Sequence, residues 1–118
     1  MLQAAIATKI VEFAGLQSRV TIKVGTVETK IDYLRSLGPI DLLFIDHIKS
    51  GYKPDVQLLE GAGLIQPGSV LVADNCLIPG APDYVAYIKD NPQYDSVCHE
   101  TLLEYSDKVD HVWVSTRK

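Results

Sequence analysis

At 118 residues, 47% of them apolar and 22% charged, the chain has the size and composition of one ordinary globular domain. A formal charge of -4, with no basic run longer than the terminal Arg117-Lys118 pair, argues against a phosphate-tracking surface and against nucleic acid as a partner. No apolar run approaches the roughly 20 residues of a spanning helix, and no basic start followed by an apolar block opens the chain, so no membrane contact is expected of it and the expected address is cytoplasmic.

Leu2, Ile6, Ile10 and Phe13 fall on one face at spacings of four, four and three, with Gly15 behind them as a C-cap, so the chain opens in a helix. Val20, Ile22 and Val24 alternate with Thr21 and Lys23, the period of a strand expected over residues 19–24. Ile31, Leu34 and Leu37, stopped by Gly38-Pro39, mark a second helix. The nearly continuous apolar run from Ile40 to Asp46 predicts a strand covered on both faces. Pro54 suits the first turn of a helix whose buried stripe is Val56, Leu58 and Leu59 and whose stop is Gly61-Ala62-Gly63.

Val70-Leu71-Val72-Ala73-Asp74 repeats the buried-strand pattern, and Pro82 opens a helix carrying Tyr84, Val85, Tyr87 and Ile88. Two β-leaning stretches, around Tyr94 to Tyr105 and His111 to Thr116, are joined by residues 106–110 and predict a hairpin. The order of helices and strands is that of a doubly wound α/β sheet finishing in an antiparallel edge. Cys76 and Cys98 lack metal-type spacing and are expected to be reduced packing residues.

In open α/β sheets, ligands bind beyond the carboxyl ends of the strands. Two successive strands here end in acid, Phe44-Ile45-Asp46-His47 and Val72-Ala73-Asp74-Asn75. If they are parallel neighbours, Asp46, Asp74 and the Asn75 amide oxygen offer three hard ligands suited to magnesium. Helix capping is a poor alternative account of the two acids, because Pro54 and Pro82 each lie eight residues farther on. Lys49 stands three residues past Asp46, where a divalent cation and partial desolvation would lower its pKa toward that of a general base. His47 is read as a packing residue before a base or ligand, and Glu104 is an acid inside the apolar stretch Leu102-Leu103-Glu104-Tyr105 whose role periodicity leaves open.

These residues, in this order, resemble the catechol O-methyltransferases. The resemblance rests on Phe13-Ala14-Gly15-Leu16-Gln17, on Phe44-Ile45-Asp46-His47-Ile48-Lys49, on Leu71-Val72-Ala73-Asp74-Asn75 running on to Pro79-Gly80-Ala81-Pro82-Asp83, and on Leu103-Glu104-Tyr105. It implies a truncated Rossmann-like, class I methyltransferase sheet, mostly parallel with a C-terminal antiparallel hairpin, as a single partial domain over residues 1–118. It further implies Mg2+ held by Asp46, Asp74 and Asn75, and Lys49 as the base that takes the phenolic proton. A small-molecule catechol would be held by Lys49, Asn75 and Glu104 between Pro79 and Leu103, and S-adenosylmethionine would be met by Asp46 and His47.

Ile48 stands where the family has a cofactor-facing aromatic, and Val27-Glu28 where it has a Ser-Gln pair against adenine. The family's first strand and Gly-rich turn have no counterpart in the sequence. The expectation is therefore a metal and catechol half-site, inactive alone, with association through the exposed truncated sheet. The alternative is a methyltransferase-derived module that binds without catalysing. A receiver domain is set aside, because such a domain starts with a strand ending in paired acids and this chain starts in a helix.

Overall fold

The computed structural model describes residues 1–118. Helix α1 (Leu2–Phe13) and helix α2 (Val27–Leu37) precede strand β1 (Leu42–Ile45), helix α3 (Tyr52–Gly61) and strand β2 (Val70–Ala73). Helix α4 (Pro82–Ile88) and strands β3 (Tyr94–Leu102) and β4 (Val109–Arg117) complete the chain. No helix is long and apolar enough to cross a membrane.

Local chemistry accounts for most of these limits. The Thr26 hydroxyl accepts from the Thr29 N–H to cap α2, Glu28 sits in its positive first turn and Arg35 in its last. Gly38 ends it at φ +87°, a left-handed conformation that a side chain resists. Helix α3 begins two residues ahead of Pro54, which lies in the first turn, where its missing N–H is no loss.

The sheet order is β1-β2-β4-β3, with β1 and β2 parallel and the other two pairings antiparallel. The expected hairpin forms, with its connection at residues 103–108 rather than 106–110, because β3 ends at Leu102 and β4 already begins at Val109. Register sets the two faces. Leu71 lies opposite Ser115 and Ala73 opposite Trp113, and with Ile45 these residues form a buried face. Tyr52, Val56 and Leu59 of α3 and Tyr84 and Ile88 of α4 belong to the same core cluster, with Val27, Ile31 and Leu34 of α2 at its margin.

Two expectations are corrected. Residues 19–24 form no strand: Arg19 and Val20 close turns onto the Leu16 carbonyl and nothing pairs with the residues that follow. Alternation records a preference for a face, whereas a strand exists only through a neighbour's N–H and C=O groups, and none lies alongside. Nor is β1 covered on both faces. It is an edge strand in which Leu42 and Phe44 are more than half exposed while Ile45 is buried. Phe44, Val72, Val114 and Val97 share the second face, which no helix closes. Helix α1 buries no residue, although its apolar stripe forms as expected.

Candidate functional site at the ends of two parallel strands

Strands β1 and β2 pair in register, Ile45 against Ala73, so the residues that follow them, Asp46 and Asp74, leave the sheet side by side. The Asp74 N–H donates to the Ile45 carbonyl at 3.1 Å, extending the ladder one step beyond the strands. The chain then turns sharply at Asn75, whose φ of +53° is a left-handed value that asparagine tolerates better than most residues. A wide turn follows, closed by Gly80 N–H to the Asn75 carbonyl at 3.2 Å and Ala81 N–H to the Cys76 carbonyl at 3.1 Å. On the other strand, one tight turn over Lys49–Gly51 leads into α3 and swings Lys49 back over the strand ends.

Lys49 Nζ is the hub of the cluster. It donates to Asp46 Oδ1 at 3.2 Å, to Asn75 Oδ1 at 3.3 Å, to the Asp74 carbonyl at 3.5 Å and to the Tyr52 hydroxyl. Tyr52, fully buried, in turn donates to the Asp74 carbonyl at 2.9 Å, and its ring meets Tyr84 edge-on at 5.8 Å. The lysine expectation changes here. Burial alone would lower the Lys49 pKa, but the hydrogen bonds to Tyr52 and Asp46 outweigh it and hold the ammonium above its ordinary value. The expected lowering invoked a divalent cation beside it, and with these partners alone the proton is held more tightly.

The other proposed residues are placed differently. The carboxylate of Asp74 accepts from the Asn75 N–H at 2.7 Å, while Lys49 meets only the backbone carbonyl of that residue. His47 Nε2 pairs with Asp55 Oδ2 at 2.8 Å and its ring lies 5.1 Å from that of Tyr52. Gly51 makes room for it, since a Cβ there would stand 2.8 Å from His47 Nε2. Glu104 lies exposed in the turn between β3 and β4, apart from the hydrogen-bonded group. A cavity of about 250 Å3 lined by Lys49, Ser50, Gly80, Ala81, Pro82 and Asp83 opens beside the lysine.

Two residues that matter here escape sequence reasoning. Tyr52 lies ahead of Pro54, outside the helix expected from the sequence, and draws no reading there. Asp110 reads as the last residue of a hairpin loop, yet it is 1% exposed and its carboxylate receives Asn75 Nδ2 at 2.9 Å and the N–H groups of Leu77 and Ile78 at 3.1 and 2.9 Å. The only sequence signal for it is an acid set between Val109 and the β-branched run of the last strand.

No three side chains drawn from His, Cys, Asp and Glu converge on a common point. The cluster is instead one carboxylate oxygen, of Asp46, one amide oxygen, of Asn75, and the Asp74 backbone carbonyl, gathered on the single cationic nitrogen of Lys49. Hard oxygens around a cation-sized position with Asp46 half exposed to water fit a small divalent ion that keeps part of its hydration.

The fold is that of part of a class I O-methyltransferase. The O-methyltransferase from Bacillus cereus, solved in complex with SAH, superposes with a TM-score of 0.82 at 21% identity, covering 98% of this chain and 58% of that one. In sequence the chain is similar to the catechol O-methyltransferases. It is 44% identical over 110 residues to catechol O-methyltransferase of Sus scrofa, covering 91% of this chain and 59% of the relative. Catechol O-methyltransferase of Bos taurus is 43% identical over 110 residues, covering 91% of this chain and 40% of the relative. The chain thus spans about half the length of the curated relatives it matches. No family model matches it.

Proposed function

We propose that this chain carries the metal and catechol half of a methyl-transfer site, in which a catechol hydroxyl is methylated from S-adenosylmethionine. The observation that carries the reading is Lys49 Nζ, shared between Asp46 Oδ1 from one strand end and Asn75 Oδ1 from the next. Asp46, Asp74 and Asn75 are the residues that would hold magnesium, and the bound ion would supply Lewis acidity that eases ionisation of a catechol hydroxyl.

Asp46 and Asn75 have one set of oxygens for two cations, the Lys49 ammonium and the metal. Were those oxygens to serve the metal, Lys49 would keep only the Tyr52 hydroxyl and the Asp74 carbonyl as partners, both of which accept a hydrogen bond from it but neither of which is charged. Its hold on its own proton would then weaken, and Lys49 would be the base that takes the phenolic proton. Tyr52 keeps the amine directed at the site through this exchange. Asn75 and Glu104 would hold the catechol hydroxyls, with Glu104 brought from its exposed turn on binding, and the cavity beside Lys49 supports a small ring as occupant. Asp46 and His47 would face the cofactor, and a small molecule in the cytoplasm suits the net charge of -4 better than a nucleic acid does.

Residues 1–39 place no fully buried residue in the core and meet it only through Val27, Ile31 and Leu34 at its margin, and we propose that the 118-residue chain alone retains substrate and does not turn it over. The same exposed apolar surfaces favour a second reading, a methyltransferase-derived module that binds a partner. One titration tests the first. Catechol added to the chain should show magnesium-dependent binding by ultraviolet difference spectroscopy, abolished in Asp46→Ala, while S-adenosylmethionine gives no calorimetric heat. Catechol binding indifferent to magnesium, or none, sinks the metal reading, and micromolar cofactor binding sinks the half-site.

A further inference from the structure

Asn75 can present either end of its amide to the cluster, and the two ends are chemically opposite. Only Oδ1 can serve a cation, whereas Nδ2 would set a donor against it. Two neighbours decide which end faces where. Lys49 is a donor only, and stands 3.3 Å from Oδ1. Asp110, ionised, is an acceptor only, and stands 2.9 Å from Nδ2. Lys49 is lost as a guide whenever Asn75 serves another cation. Asp110 remains.

Asp110 is built for that task. It is 1% exposed, and its two oxygens are divided: Oδ2 receives Asn75 Nδ2, while Oδ1 receives the N–H groups of Leu77 at 3.1 Å, Ile78 at 2.9 Å and His111 at 2.7 Å. The Leu77 and Ile78 donors hold the carboxylate against the turn that follows Asn75, and all three backbone donors act on the same oxygen. They also keep one oxygen fully engaged, so the other can do little but face the amide.

We infer that Asp110 is a positioning residue that locks the Asn75 amide with its oxygen toward the cation position at the ends of β1 and β2. The inference rests on the proposed metal site for its purpose, and on the hydrogen bonds of Asp110 for its mechanism. Asp110 touches neither metal nor substrate; it acts through Asn75.

Asp110→Asn keeps the shape and leaves an oxygen for the three backbone donors, but turns an N–H2 toward Asn75 Nδ2. Two donors then face each other, and Asn75 must flip or lose its partner. The reversed pair, Asn75→Asp with Asp110→Asn, restores complementarity, since an amide at 110 donates to a carboxylate at 75 whose second oxygen still faces the cation. Two readouts separate the metal reading from the lock. Hydrogen exchange of the Asn75 side-chain amide, followed by NMR without metal, should be slow in the wild-type chain and fast in Asp110→Asn. Mn2+ affinity, measured by water-proton relaxation, should fall about 10- to 100-fold in Asp110→Asn, the usual effect of removing a ligand's support, and return in the reversed pair.

A protected Asn75 amide in a wild-type chain that takes up no Mn2+ would sink the metal reading and leave the lock standing. Equal amide exchange in the wild-type chain and Asp110→Asn, or undiminished Mn2+ binding in that variant, would overturn the inference. Should Asp110→Asn fail to fold, the reversed pair decides: a folded, Mn2+-binding protein supports the lock, and an unfolded one refutes it.

Discussion

Residues 1–39 and residues 40–118 carry similar apolar patterning, yet every buried residue, from Ile45 to Ser115, lies in the second region. In the first, Leu2, Ile6, Ile10 and Phe13 line up on α1 and remain exposed, and Val20, Ile22 and Val24 alternate without becoming a strand. Polar contacts divide in the same way. Side-chain hydrogen bonds of residues 1–39 close within four residues, as Lys9 to Glu12 and Asp32 to Arg35 do, whereas Glu60 of α3 joins Tyr87 of α4 to Tyr94 of β3. Periodicity thus specifies which face an element would bury. Whether it buries anything depends on a second layer, and here only one face of the sheet has one.

The largest expected difference between the regions is in backbone hydrogen exchange. Amides of residues 21–25 have no backbone acceptor, whereas β2 is bonded to a strand on each side. The former should exchange at unprotected rates and the latter only on global unfolding, a gap on the order of 5–15 kcal/mol for a typical domain. Slow exchange in residues 21–25 would mean that this stretch finds a strand partner in solution, and the contrast would vanish.

Truncation of single side chains gives a smaller contrast. Leu71 is fully buried at the centre of the sheet, and Leu71→Ala should lower stability by about 2–5 kcal/mol in urea unfolding. Ile10 is 63% exposed on α1, and Ile10→Ala should stay within about 0.5 kcal/mol. A large loss at Ile10 would show that α1 is covered in solution, by a second copy of the chain if the loss depends on concentration.

How far the sequence announces this arrangement follows from what each signal encodes. The strands at Leu42 and Val70, the proline-opened helices and the hairpin are all periods or breakers, local properties that survive any tertiary context. The meeting of Asp46, Lys49 and Asn75 is legible for a further reason: parallel neighbours in register deliver their last residues to one place. Residues 19–24 mislead because pairing is not local. Asp110 is hidden because its partners are an amide and two backbone N–H groups more than thirty residues away, and nothing in a β-branched run marks an acid as buried. Tyr52 is hidden because it precedes Pro54, ahead of the expected helix, and no local pattern marks a tyrosine whose hydroxyl fixes a lysine. The raised Lys49 pKa depends on that hydroxyl.

The smallest predicted effect concerns the polar link that only the second region has. Burial, and then the hydrogen bond it donates to Glu60 at 2.6 Å, push Tyr87 up to about 12, while an unfolded tyrosine titrates near 10. The folded state therefore keeps this proton to higher pH than the unfolded state does. Its contribution to stability is fully present below about pH 10 and is lost as pH rises toward 12, because only the unfolded chain releases the proton in that window. Tyr94 donates to the same carboxylate and is shifted in the same direction, so removing one tyrosine removes part of the slope. Tyr87→Phe should show a shallower fall of the urea midpoint between about pH 10 and 12 than the wild-type chain. Parallel slopes would mean that Tyr87 titrates alike in both states, and that α3 and α4 are held together by their apolar contacts alone.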